Sequence, residues 1–298
     1  MTMSVVAAPP KSVAAPEARG ERSRFSLPAV AWWIICICIA VLFAFPLLLS
    51  LVSSLRPPAV SQGSPELIPK QISFGNFHGL NKLGSGITDY LRNSIEVAVA
   101  TVIGTVVLAT LAGFGFAKFR FSGRRVAFLA VILMLMIPFQ AIVTPLYVLL
   151  VKVHLSDSLV GLALVYITYQ LPFSIFVMRN AFSAVPDALQ ESAHMDGCNT
   201  WRGFTKIMLP LAKPGAITVA LFAFFTAWNE FFAALIFLSN QGKYTLPIML
   251  TLIQGQQYGQ VDWGLLQAGV VVTMLPCIII FITLQRYYVQ GMLSGSVK

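Results

Sequence analysis

The stretch Glu191–Pro210, ESAHMDGCNTWRGFTKIMLP, is the one polar, mixed-charge segment longer than a few residues that lies between two strongly apolar runs. It reads as two short helices broken at Gly197. Ala188, Leu189, Ser192 and Ala193 fall at helical spacing before the break. After it, Asn199 or Thr200 can cap a second helix that carries Trp201, Phe204, Ile207 and Met208 on or near one face. Gly197 suits the reversal between the helices, because without a Cβ it reaches positive φ. A valine there is expected to clash at the turn.

The runs on either side decide the solvent. The chain has 298 residues, 57% of them hydrophobic and only 10% charged, with mean hydropathy +0.79. Soluble domains carry about 25% charged residues, so this composition asks for lipid. Six apolar runs are each near the roughly 20 residues needed to cross a hydrocarbon core. They fall at Ala29–Ser50, Ile95–Phe116, Val126–Leu150, Leu159–Met178, Ala216–Leu238 and Leu266–Leu284. In a solvent without water each run must satisfy its own backbone, and helices do that. The expected fold is therefore an all-α membrane protein of six transmembrane helices. Residues 1–28, rich in Ala, Pro and Ser, form a disordered tail. Residues 29–288 are the membrane domain, with a loop at 186–210, and residues 289–298 are a C-terminal tail.

Basic residues set the orientation. The loop after the second run holds Lys118, Arg120, Arg124 and Arg125 within eight residues and no acid. With both termini in the cytoplasm, that loop, the N-terminal tail and the Glu191–Pro210 loop all lie inside. Only Arg56, Lys70, Lys82, Arg92, Lys152 and Lys243 fall outside. The net charge of +9 is then the excess of cytoplasmic loops and not a nucleic-acid surface. The four cysteines make no framework: Cys36 and Cys38 lie in the first run, Cys277 in the last and Cys198 in the polar loop. With only three histidines, neither a disulfide nor a metal site is expected.

The spacing of the central stretch resembles a known family. Glu191, one residue, Ala193, three residues, Gly197, nine residues, Ile207, one residue and Leu209-Pro210 are similar to the "EAA" loop of the membrane subunits of binding-protein-dependent ABC importers. Ser192 departs from the usual Ala, a small-for-small change. Trp228-Asn229-Glu230 resembles the span-five signature of the sugar branch, and Leu171-Pro172-Phe173, Arg179-Asn180 and Val185-Pro186 extend the likeness. Gly291–Lys298 looks like the ending of maltose-type permeases. The resemblance implies a type I ABC importer permease fold in a bacterial inner membrane. It implies a second homologous permease subunit, two ATPase subunits and an extracytoplasmic solute-binding protein as partners, and a carbohydrate as cargo. ATP and Mg would sit on the partner ATPase, with no cofactor in this chain. Contacts to the ATPase would fall on Glu191, Ala193, Asp196, Gly197, Trp201, Leu209 and Pro210. The external loop 239–265, with Gln254, Gln256, Gln257, Tyr258 and Gln260, would reach the binding protein.

Polar residues inside the runs are candidates for a substrate pathway. Glu230 is the only acid near the middle of a run, where a carboxylate costs at least about 2.5 kcal/mol. With Trp228 and Asn229 it suits a pyranose: the acid and amide bond hydroxyls, and the indole stacks on C–H faces. Asn229 and Glu230 can equally tie helices together or meet a partner subunit. The third run carries Pro138-Phe-Gln140 and Thr144-Pro145, where each proline is expected to kink the helix. Gln140 and Thr144 at those breaks, and Tyr166, Tyr169 and Gln170 in the fourth run, join the candidate set. Glu96 lies four residues after Arg92 and suits a local ion pair. Gly104, Gly113 and Gly115 fit close helix packing.

Other classes find less support. There is no G-x-x-x-x-G-K-[ST] and no H-E-x-x-H or G-x-S-x-G, so the chain carries no P-loop and no recognisable catalytic set. An ion-coupled secondary transporter of a small polar solute is the alternative. It calls for an internal repeat, and none is visible, and for intramembrane coupling residues, of which Glu230 alone is present.

Overall fold

The computed structural model describes residues 29–58, 71–255 and 261–294. The expected disordered tail, residues 59–70 of the first external loop, residues 256–260 and the last four residues lie outside the described residues. By its contacts the chain divides into Met1–Pro46 and Leu47–Lys298. The described part of the first unit is the uncharged opening of helix α1, Ala29–Ser54, which carries Pro46 in its interior.

Among the described residues, four helices are long and apolar enough to cross a membrane, or six if each of two bent pairs is one span. α1 is the first. A short helix α2, Gly75–Leu80, follows, and then α3, Ile87–Lys118, the second. Next comes a bent pair, α4 (Arg124–Met134) and α5 (Phe139–Lys152), which meet at 101°. The third run is therefore not one helix. Pro138 sits at the corner as the N-cap of α5; its ring disfavours helical backbone at the residue before it. Pro145, by contrast, lies within α5 without ending it. α6, Leu159–Ser183, is the next long helix; Ser158 Oγ accepts the Gly161 N–H at its start.

The polar stretch forms α7 (Asp187–Met195), α8 (Thr200–Gly203), a π turn (Phe204–Met208) and α9 (Leu209–Leu211). The second part of this short rod, Thr200–Leu211, meets α10, Lys213–Asn229, at 74°. The fifth run also breaks, at Glu230, whose extended backbone ends α10 before α11, Phe232–Phe237. A 3₁₀ turn at Gln241–Lys243 and helix α12, Leu246–Gln254, precede α13, Trp263–Ser294, which continues through most of the segment expected to be a tail.

α3 and α6 form the centre and run side by side in the same direction. Gly113 makes that approach possible: a Cβ there would lie 2.5 Å from Met178 Cβ and 2.8 Å from the Arg179 backbone nitrogen. Small residues let helices approach closely where lipid supplies no hydrophobic drive. Gly104 serves the same seam against Ile167, whereas at Gly115 none of the described residues lies within 4 Å of where a Cβ would stand. α10 returns antiparallel along α6. Gly215 lies against Ala181 near one end, and Thr226 bonds Gln170 farther along.

Candidate functional site

The reversal in the polar stretch closes as a Schellman motif. The Cys198 N–H reaches the Ala193 carbonyl at 2.9 Å and the Gly197 N–H reaches that of His194 at 3.0 Å. Gly197 holds φ +77°, and no atom lies within 4 Å of where a Cβ would stand. A side chain there would thus meet open space, and its penalty would be the left-handed backbone alone, contrary to the expected clash. Asn199 caps the next helix, its side chain accepting the Arg202 N–H at 2.8 Å. Pro210 cannot donate to the helical ladder and crowds the preceding turn. The rod widens there, and the Leu209 N–H reaches five residues back to Phe204.

The rod has two unlike faces. Phe204 and Met208, one turn apart, are buried with Ala193. Phe204 packs on Phe114 of α3 with ring centroids 4.8 Å apart, and Phe114 packs on Phe182 of α6 at 5.3 Å. Phe204 also faces the Phe182 ring at 6.2 Å, so one ring of the loop meets the ends of both central helices. Beside it, Lys118 at the end of α3 donates to the Val185 carbonyl and to the Asp187 carboxylate. The Lys118 side chain is only 3% exposed, and its hydrogen bond and charge hold the Asp187 carboxyl below its ordinary range. The outer face is open: Glu191, Asp196, Gly197 and Pro210 are exposed. So are Leu189, Trp201 and Met195, the last at 89%. Leu209 is half-buried. Of the expected contact residues, only Ala193 is turned inward.

The pathway candidates separate into three groups. Tyr169 and Gln170 line a cavity of about 280 Å³ with Thr226, Phe173 and Phe222, at the corner between α4 and α5. Gln170 Oε1 accepts the Thr226 hydroxyl at 3.1 Å. Gln140 and Thr144 lie one turn apart on the exposed side of α5, away from that cavity's lining. Tyr166, Trp228 and Glu230 are committed to internal bonds. Tyr166 donates to Glu230 Oε2 at 2.8 Å, and the same carboxylate accepts the Ala233 N–H, capping α11. This capping explains the break: a carboxylate that satisfies free amide groups offers the backbone an alternative to continuing the ladder. Trp228 is 1% exposed and its indole N–H bonds the Thr273 carbonyl of α13 at 2.9 Å. Asn229 is exposed and donates to Phe225 on its own helix. The bonds of Trp228 to α13 and of Glu230 to Tyr166 of α6 tie helices together within this chain.

Sequence reasoning did not place Phe114, Phe182 or Lys118 at the site. Their partners are more than 60 residues away in sequence, and no local pattern marks them.

A family model described as the binding-protein-dependent transport system inner membrane component matches residues 105–294, which include the whole rod and both central helices from Thr105 onward. The chain belongs to this family. Several curated permeases align with it along most of their length. A "Probable ABC transporter permease protein" of Pyrococcus horikoshii is 35% identical over 92% of this chain and 98% of its own. The trehalose transport system permease protein SugB of Mycobacterium tuberculosis is 32% identical over 90% and 97%. The arabinooligosaccharides transport system permease protein AraQ of Bacillus subtilis is 32% identical over 92% and 98%. A chain of a bacterial ABC transporter involved in alginate import superposes with a TM-score of 0.75 at 21% identity, covering 87% of this permease and 96% of that chain. That likeness supports the fold: an all-α, type I importer permease. The protein is a multi-pass inner membrane component of a sugar-permease family.

Proposed function

We propose that this permease forms half of the translocation pathway of an ATP-driven carbohydrate importer, and that the Glu191–Pro210 rod couples ATPase closure to alternating access. The observation that carries this reading is the two-faced rod. Its outer face offers acids and large apolar side chains to a partner, and its inner face seats Phe204 against α3 and α6 together. A push on the outer face therefore reaches both central helices through one ring. The conversion needs no chemistry on this chain; it needs a partner that binds differently to two arrangements of the helices.

The partners in this reading are a second permease, two ATPase subunits carrying ATP and Mg, and an extracytoplasmic binding protein. Carbohydrate cargo is supported by the trehalose and arabinooligosaccharide permeases above. Both termini and the rod face the cytoplasm, which the basic loop at Lys118–Arg125 supports. The cavity at Tyr169, Gln170 and Thr226 is the polar part of this chain's share of the pathway; Gln140, Thr144 and Asn229, exposed here, meet the cargo or the second permease. Tyr166, Trp228 and Glu230 shape the wall.

Reconstitution with the ATPase pair and binding protein tests it. Uptake should require ATP and no ion gradient, and a Met195→Cys variant should cross-link to the ATPase. Uptake driven by an ion gradient without ATPase would replace this reading with a secondary carrier.

A further inference from the structure

We propose that the turn between α3 and α4 and the start of α4 bind the headgroup of an anionic phospholipid. A cavity of about 1210 Å³ there is lined by Arg120, Arg124 and Arg125, and by Arg179 from α6, with no carboxylate in its wall. None of the four makes an ion pair among the described residues. Arg124 gives one nitrogen to the Phe119 carbonyl at 3.0 Å, and Arg179 is stacked 4.4 Å over the Phe128 ring. Stacking uses the face of a guanidinium and leaves its in-plane N–H fork for an oxyanion. Asp187, already bonded to Lys118, lies near enough to Arg120 to feel its charge, but it is outside the cavity wall. Four like charges around one space otherwise repel one another, and a phosphate diester relieves that repulsion with paired, charge-assisted hydrogen bonds.

The apolar neighbour selects a lipid over a soluble anion. α4 has no buried residue. Val126, Leu129 and Leu133 are exposed at 72%, 56% and 52%. At spacings of three and four residues they make one stripe running away from the arginines. A free phosphate has no use for that stripe, and an acidic protein surface would cover the arginines and leave it bare. A lipid uses both parts: its phosphate on the guanidinium groups and its acyl chains along α4. The site lies at the same end of α3 as Lys118, which grips the first turn of α7, so an occupied site would steady the base of the rod. In that respect it rests on the coupling reading, but lipid binding is measured separately from coupling.

The test uses the full transporter in nanodiscs of phosphatidylcholine, with or without phosphatidylglycerol, read by native mass spectrometry of retained lipid and by thermal midpoint. Anionic lipid should be retained and should raise the midpoint. Arg120→Gln/Arg125→Gln should weaken retention by roughly fivefold for each arginine, and Arg120→Lys/Arg125→Lys should weaken it less. Val126→Ser/Leu129→Ser keeps every charge, so a fall in retention there supports the lipid directly, even if the glutamine variant folds poorly. Three results overturn the proposal. Unchanged lipid retention in both the glutamine and serine variants is one. Equal protection by inorganic phosphate in pure phosphatidylcholine is another, and assigns a free-anion site. Loss of the ATPase from the glutamine variant in pure phosphatidylcholine is the third, and assigns the arginines to that partner. ATP consumed per sugar moved reports on coupling alone, so its failure would not be mistaken for failure of the site.

Discussion

The two ends of the α3–α6 pair are held by different physics. At the end near the rod the joint is softer: Phe114, Phe182 and Phe204 meet ring to ring in a cluster with Met208, and Lys118 adds two hydrogen bonds beside them. At the other end the joint is directional. The Asn93 side chain donates to the carbonyls of Gly242 and Tyr244 at 2.9 and 3.0 Å, and Ser94 Oγ accepts the Leu246 N–H at 2.8 Å. Asp157 Oδ1 accepts the N–H groups of Ser239 and Asn240, and Lys243 donates to its other oxygen at 2.8 Å. Burial pulls the Asp157 carboxyl up, but the Lys243 hydrogen bond and the two amides outweigh it and hold it below its ordinary range. Hydrogen bonds lose strength steeply off axis, whereas dispersion contacts between rings tolerate sliding. The polar end is built to keep one geometry, and the aromatic end to transmit displacement. The contrast gives a division of labour between pivot and input.

Breaking the input should have the largest effect. Truncating a buried aromatic costs about 3–5 kcal/mol in well-packed cores. Phe204→Ala should therefore abolish most sugar uptake while ATP hydrolysis continues, and Phe204→Leu should recover part of it; uptake and hydrolysis in proteoliposomes check both. Equal uptake by the alanine variant and wild type would show that the ring is not the route.

Breaking the pivot should act on stability before coupling. Asn93 is buried, and Asn93→Leu removes its bonds to two carbonyls; Gly242 is exposed and can bond water, so the loss falls mainly on the half-buried Tyr244 carbonyl, about 1–3 kcal/mol. The thermal midpoint should fall while ATP consumed per sugar changes little. The reverse pattern would erase the distinction between the two ends.

A smaller effect belongs to the bend. The space around Gly197 is open, so the cost of Gly197→Val is the left-handed backbone, about 1–2 kcal/mol. Gly197→Asn should cost less, because Asn tolerates that conformation. Faster amide exchange at Cys198 in the valine variant than in the asparagine variant, with uptake falling in the same order, would confirm backbone strain as the cause.

The smallest effect is the lysine latch. Because Lys118 lowers the Asp187 carboxyl in the folded state, the contact contributes above the ordinary aspartate value of about 3.9 and is lost as pH falls through the lowered value. Lys118→Met should bring the Asp187 titration, followed by carboxyl NMR, back up toward the ordinary range. Stability near neutral pH should drop slightly. No change in that titration would show that the latch does not persist in the membrane.

Much of this architecture is written locally. Apolar runs, a glycine at the reversal and Asn199 before Thr200 are short-range signals, and they appear where the chain itself implies. The Arg92–Glu96 pair, four residues apart on one helix, forms as well, at 2.7 Å. Two breaks were less legible. Pro138, where the sequence predicts a kink, marks a corner of 101° that separates two helices. Glu230 ends a helix because its carboxylate finds amide groups ahead of it and a tyrosine 64 residues behind. Trp228 illustrates the same limit: its indole N–H bonds a carbonyl of the last helix and its ring stacks on Phe224, contacts that its acid and amide neighbours in sequence do not announce.

The sequence by itself determined that this chain lives in lipid, crosses it as helices and carries a bent polar rod between two of them, because hydropathy, proline and glycine act within a few residues. Only the tertiary structure decided which ring bears on which helix, which polar groups are already satisfied and which end of the central pair is pinned. Those outcomes depend on side chains far apart in sequence, 45 residues for Trp228 and Thr273 and 69 for Lys118 and Asp187, being brought within a few ångströms, and the energy of such contacts exists only once the helices have packed.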